Sequence, residues 1–462
     1  MKARVLTYGL AVLVLSSGLG WAQSEQPTPP ASDPFQQGLV SLQQNRPEAA
    51  LEAFTLAETR MPSDARIRNF RGIALTSLGR TEEAAAEYRR AIELDSNLQS
   101  AYRNLGFLEW TVHQPENARG HLTKAIELDA NDEFSRYYLA RVQVEGLRYD
   151  KAIELFKQMV DGPRHERPWA QMNLALAYLY AGKYEDAIGT VKVLADGASK
   201  PSPYSASAHS ILGIARARDR QYEQSISALR EAANLAPQQE EHWLNLTRQL
   251  MEGNRFADAV AATQEGLRSN PKSYALRLRL GAAYFSSGQY DDAEKSFREL
   301  VTAGDPLPTS YVGLAQVLLR TGRAADAAAE LAAAEGKLGK QFLLVYFRGL
   351  ALSRAGQRAG ALAAFQEAAR INPESSDAHL GCGKTALALG DPQHAVKELQ
   401  KALELDPKNV AARRLLGQAY ARLGDEEGSK RYATSMPDSD SEPTTNMVGD
   451  FVLPDWQQPS LP

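Results

Sequence analysis

The sequence predicts an all-α fold, an α-solenoid of stacked helical hairpins, and three observations predict it. Small residues return at a spacing of 34 residues, as at Gly38, Gly72 and Gly106, along most of the 462-residue chain. In each copy a second small residue and then a large apolar one come at fixed offsets. The clearest copy, Tyr274 to Leu307, splits into two amphipathic halves around Gly288. Its first half sets Leu280, Gly281 and Tyr284 on one helical face, and its second half does the same with Ala293, Phe297 and Leu300. Gly288 ends the first helix in the left-handed region, and Asp291 and Asp292 place negative charge at the start of the second. Neither helix is long enough to stand alone in water, so copies must stack to bury both faces.

From the N-terminus, residues 1–22 differ in kind from the rest of the chain. Lys2 and Arg4 precede an apolar run from Val5 to Leu15, and Gly20-Trp21-Ala22 places small residues where a signal peptidase cuts. The run is shorter than the ~20 residues of a spanning helix, so cleavage after Ala22 is expected, with no stable membrane insertion of the mature chain. In a bacterium such a signal directs the chain to the periplasm or the exterior. Removing it leaves 50 basic against 56 acidic residues, a balance that does not indicate nucleic-acid binding. Residues 23–30 form a polar, Pro-rich leader.

The repeats occupy residues 31–436, starting near 31, 65, 99, 133, 168, 206, 240, 274, 308, 342, 376 and 410. The first small marker is Gly38, Gly72, Gly106, Ala140, Ala175, Gly213, Thr247, Gly281, Ala315, Gly349, Gly383 and Gly417, with Thr247 the misfit. The second, typified by Ala293, is Ala or Ser throughout. The large marker includes Phe54, Tyr88, Leu122, Phe156, Leu229, Phe297, Phe365 and Leu399, with Thr263 an exception. Small residues at both markers let two helices approach closely, and the large one fills the space that remains. The period is broken at residues 161–168 and, by four residues, at 196–205, where a kink is expected between five repeats and seven. The last repeat ends in a charged helix, as a solvent-facing cap should, and residues 437–462 form an acidic, Pro-rich tail expected to be disordered.

Copies often close on proline (Pro62, Pro237, Pro271, Pro373, Pro407), and "AYRNLG" at Ala101 to Gly106 and "KALELDPKN" at Lys401 to Asn409 look like consensus phrases. On these residues the chain resembles the tetratricopeptide repeat family. The resemblance implies a right-handed superhelix whose inner groove binds peptides or protein segments, and it implies no catalysis. In that family the groove is lined by the second, fifth, ninth and twelfth residues of each repeat. Carried onto this sequence, the rule selects Arg66, Asn69, Arg103, Phe107, Trp110, Phe134, Tyr137, Arg141, Trp169 and Met172 as a basic, aromatic peptide-binding patch. Its ligand would be a protein or peptide segment carrying carboxylates and an aromatic or aliphatic anchor. A competing reading makes these rings core, packed against one another. Ala275, Leu278, Thr309 and Val312, selected by the same rule, are smaller and less charged.

Catalytic chemistry finds little footing. Gly381-Cys382-Gly383-Lys384-Thr385 imitates the end of a phosphate-binding loop, but Ala378 stands where the loop needs its first glycine and no strand precedes it. Cys382, the single cysteine, sits at a core position, and the seven histidines form no i, i+4 pair. No catalytic residue, metal or cofactor is expected. The function read from the sequence is a non-catalytic protein-interaction scaffold in assembly of a cell-envelope complex. The alternative is a structural spacer of an envelope or polysaccharide-export system.

Overall fold

The computed structural model describes residues 33–161, 168–196, 204–304 and 307–433. The expected signal, leader and tail lie outside these residues. Among the described residues there are 24 helices, paired into twelve hairpins, and no strand. They fall into two compact units. The first, Met1–Ser199, holds hairpins 1 to 5, whose first helices are Pro34–Gln43, Ala65–Ser77, Gln99–Thr111, Glu133–Glu145 and Pro168–Tyr180. The second, Lys200–Pro462, holds hairpins 6 to 12, whose first helices are Ser205–Arg218, Glu240–Glu252, Tyr274–Ser286, Pro308–Arg320, Phe342–Arg354, Ser376–Leu389 and Val410–Arg422.

Local chemistry starts and stops these helices. Side chains of Asp64, Asp132, Ser273, Ser375 and Asn409 accept backbone N–H bonds at helix starts. The turn inside a hairpin needs one left-handed residue, supplied by glycine at Gly79, Gly288 and Gly356 among others. Leu147 takes that conformation at φ 57° with a side chain 72% exposed, a strained choice for a bulky residue.

The markers meet as their spacing requires. A Cβ built on Gly72 would lie 2.5 Å from the Tyr88 ring, on Gly281 2.8 Å from Phe297, and on Gly383 2.5 Å from Leu399. The two misfits prove to be partners. Thr247 and Thr263, both fully buried, join hydroxyls at 3.0 Å, so the larger residue at the small marker is matched by a smaller one at the large marker. Each hydroxyl also lies within 2.8 Å of a carbonyl one turn back, Trp243 and Ala259 respectively; with one proton apiece, one donates to its own carbonyl and the other to its carbonyl or to the neighbouring hydroxyl, so both buried hydroxyls are satisfied.

Stacking between hairpins repeats the device. The Phe297 ring lies between Gly281 of its own hairpin and Gly313 of the next, where an added Cβ would come within 2.6 Å. Phe365 is held in the same way between Gly349 and Gly381. Ion pairs join one intra-hairpin turn to the preceding second helix, as in Arg148–Glu116 at 2.7 Å, Lys183–Asp150 at 2.7 Å and Arg255–Glu223 at 3.0 Å. These are exposed pairs and contribute little.

Candidate functional site

The first helices of hairpins 2 to 5 carry the residues selected from the sequence, and the structure divides them. Asn69, Arg103, Phe107 and Phe134 are buried, with exposures of 2%, 4%, 0% and 9%. Asn69 accepts a bond of 2.9 Å from Asn104 Nδ2 and donates one of 3.3 Å to Ser100 Oγ, which ties hairpin 2 to hairpin 3. Arg103 stacks over the Phe134 ring at 5.9 Å, and burial pushes its guanidinium down against the opposing charges of Asp132 and Asp129. Phe107 packs on Phe134 at 5.4 Å and on Tyr138 at 4.7 Å. In the structure these four are covered by the packing of successive first helices.

Arg66 is exposed, yet it is already engaged. Its guanidinium donates to both carboxylate oxygens of Asp64, at 3.0 and 2.7 Å, and lies 5.7 Å from the Phe35 ring centre. The bond from Arg66 holds the Asp64 carboxyl below its ordinary range.

The other five reach the surface together. Trp110, Tyr137, Arg141, Trp169 and Met172 are all half-buried, on the first helices of hairpins 3, 4 and 5. Arg141 lies between the rings, 5.6 Å from Trp110 and 5.9 Å from Tyr137, and its Nη1 donates to the Tyr137 hydroxyl at 3.1 Å. Trp110 Nε1 donates to Glu145 at 2.9 Å, and Tyr137 meets Trp169 edge to face at 5.4 Å. The rings thus have a buried side that fixes them and an open side that does not.

Two members of this surface were missed by position rules. Tyr138 is the hub, 4.9 Å from Trp110, 4.6 Å from Phe134 and 5.1 Å from Tyr137. Burial pushes its phenol up to about 12. Tyr180 ends the first helix of hairpin 5, is 44% exposed and stacks on Tyr149 at 5.8 Å and 12°. The signal that could have found them is the density of aromatic residues between Phe134 and Tyr180, which no single repeat position captures.

The remaining chemical candidates are packing elements. Gly381 and Gly383 lie within the helix Ser376–Leu389 and face Phe365 and Leu399, so no phosphate loop forms there. Cys382 is fully buried, and burial pushes its thiol up to about 12, which disfavours the nucleophilic thiolate. Among the described residues no three His, Cys, Asp or Glu side chains gather as metal ligands, and no helix is long and apolar enough to cross a membrane.

Comparison with known proteins bears on this architecture. A family profile described as "Tetratricopeptide repeat" matches residues 35–98, 172–240, 244–308 and 283–341, half of the chain, and a second of that description matches 352–400. A "TPR repeat" profile matches 383–424. No curated protein is significantly similar to the chain. Similar solved structures include Naa15/Naa10 bound to HypK-THB, at 16% identity over 90% of this chain and 70% of that one, with a TM-score of 0.38. Yeast Tom70 is 11% identical over 87% of this chain and 98% of its own, with a TM-score of 0.44. A tetratricopeptide repeat protein from Parabacteroides merdae ATCC 43184 is 15% identical over 55% and 98%, with a TM-score of 0.43.

Proposed function

Because the chain belongs to the tetratricopeptide repeat family, we propose that it is a non-catalytic scaffold that holds a segment of another protein on the aromatic face of hairpins 3 to 5. Solenoids of this kind present extended surfaces, and binding energy concentrates in a few tryptophan, tyrosine and arginine residues. The observation that carries the reading is the row Trp110, Tyr137 and Trp169, each fixed on one side and half-open on the other, with Arg141 among them. Such a surface suits an extended or helical segment with an aromatic or aliphatic anchor for the rings and a carboxylate for Arg141. The N-terminal residues favour a periplasmic or exported protein that helps assemble an envelope complex.

The test places a photocrosslinking residue at Met172 and, as a control, at exposed Ala275. A protein crosslinked in cells from position 172 but not from 275, and lost in Trp169→Ala and Tyr137→Ala, is the expected result. With the purified pair, either truncation should weaken binding by about 2 kcal/mol or more. If both variants unfold with no selective loss of binding, the rings are core and the reading fails. Sequencing the exported chain should find Gln23 first, whereas an intact Met1 on membrane-bound protein would make the segment an anchor.

A further inference from the structure

A cavity of about 190 Å3 opens between hairpins 2 and 3 of the first unit, beside the second helix of hairpin 2, Thr81–Leu94. Ala85 and Leu108, both buried, form its apolar wall, and Glu82 and Arg89 stand exposed at its rim. Glu109 belongs to the lining as well, although it is only 3% exposed. In the register of the repeats Glu109 is the eleventh residue of its copy, and no other copy has an acid there.

The buried carboxylate has room for more partners than the chain gives it. Among the described residues its one hydrogen-bond partner is His121 Nδ1, 2.7 Å from Oε2, which leaves Oε1 with none. A carboxylate has about four acceptor sites, and burying its charge is costly unless the charge is paired. In hairpins 8 and 12 the equivalent residue is a tyrosine whose hydroxyl accepts from a glutamine twenty places earlier, Gln264 to Tyr284 at 2.8 Å and Gln400 to Tyr420 at 2.7 Å. Twenty places before Glu109 stands Arg89, but it is exposed and makes no ion pair with Glu109. The latch of those hairpins is missing here, and both of its would-be members line the cavity instead.

We propose that this cavity receives a primary ammonium on a short methylene stem, as a lysine side chain or a free alkylamine presents it. An ammonium has three donors and no acceptor, and Glu109, Thr81 and Gln114 give the lining acceptors for all of them. The Thr81 hydroxyl donates to Gly79 O at 3.4 Å, which leaves its oxygen free to accept, and Gln114 Oε1 accepts only a bond of 3.3 Å from Asn117. Glu109 supplies the opposite charge; Arg89 at the rim opposes a cation, Glu82 offsets it, and the lining stays net negative. Ala85 and Leu108 match the methylenes of the stem, which a bare metal cation lacks. At roughly 30 Å3 per liquid water, the volume suits such a chain and excludes a folded element. None of the lining residues belongs to the aromatic row, so either reading can fail without the other.

The experiment measures thermal melting of the full chain, at neutral pH and equal ionic strength, with n-butylamine, Nα-acetyl-lysine methylamide, trimethylbutylammonium and n-butanol. Butylamine should raise the melting temperature saturably. Trimethylbutylammonium, which keeps the charge without N–H donors, and butanol, which keeps the stem without the charge, should not. An equal or larger response to the lysine amide assigns the site to a polypeptide lysine, and a response to butylamine alone assigns it to a free amine. Glu109→Gln, which keeps an acceptor for His121, should raise the half-saturating butylamine concentration about tenfold or more. Arg89→Ala should lower it, since a like charge is removed, and should leave ligand-free melting unchanged. If Glu109→Gln fails to fold, Gln114→Leu at the exposed rim takes its place, with about a threefold loss expected. Four results would overturn the proposal: no saturable response to butylamine, trimethylbutylammonium acting as well as butylamine, half-saturation left unmoved by Glu109→Gln or its substitute, or Arg89→Ala melting well below the natural chain, which would make Arg89 the partner of Glu109.

Discussion

Phe297→Ala tests the packing scheme most directly, because its ring is caged by glycines on both faces, 2.8 Å from a Cβ built on Gly281 and 2.6 Å from one on Gly313. The ring is fully buried, so truncation should cost about 3–5 kcal/mol. Gly281→Ala alone adds one carbon that the ring has no room to escape, because Gly313 closes the other side, and should cost about 1–3 kcal/mol. Made together with Phe297→Ala, the same change should cost nothing and gain up to about 1 kcal/mol from helix propensity. The double-mutant cycle in urea should therefore show coupling of roughly 2 kcal/mol. Hydrogen exchange adds a spatial readout: in Phe297→Ala, rates should rise most from Glu240 to Gln341, which spans hairpin 8 and its two neighbours. Additive effects within about 0.5 kcal/mol, or equal acceleration in all twelve hairpins, would refute the caged ring and the nearest-neighbour energetics.

Single residues give further outcomes. Leu147→Gly should stabilise the chain by about 0.5–1 kcal/mol in urea unfolding, since it relieves a left-handed leucine whose side chain is mostly in water. His242 is 1% exposed with no hydrogen-bond partner for either ring nitrogen among the described residues, and burial lowers its pKa. The folded state therefore keeps it neutral, its stability is complete above the unfolded value near 6.5, and it falls below that by at most about 1.4 kcal/mol per pH unit. His242→Phe should flatten that part of the acid limb, and an unchanged limb would assign it to other groups. Gly381→Val should destabilise by about 1–3 kcal/mol because Phe365 occupies the space, while exposed Lys384→Ala should stay within about 0.5 kcal/mol. Nucleotide binding abolished by Lys384→Ala would revive the phosphate loop.

The sequence by itself determined what depends on spacing within one hairpin. Gly72 opposite Tyr88 and Gly281 opposite Phe297 were legible because a helix sets which residues share a face, and a short turn leaves two helices few ways to pack. The left-handed Gly288 was legible for the same local reason. The offset between neighbouring hairpins has no comparable sequence signature, and it decides which side of each first helix is covered. Tertiary structure alone therefore buried Phe107, Phe134, Asn69 and Arg103, left Trp110, Tyr137 and Trp169 half-open, and made Tyr138 their hub. It also revealed that Thr247 and Thr263 compensate one another, since a misfit at either marker looks like an error until the two hydroxyls are seen 3.0 Å apart.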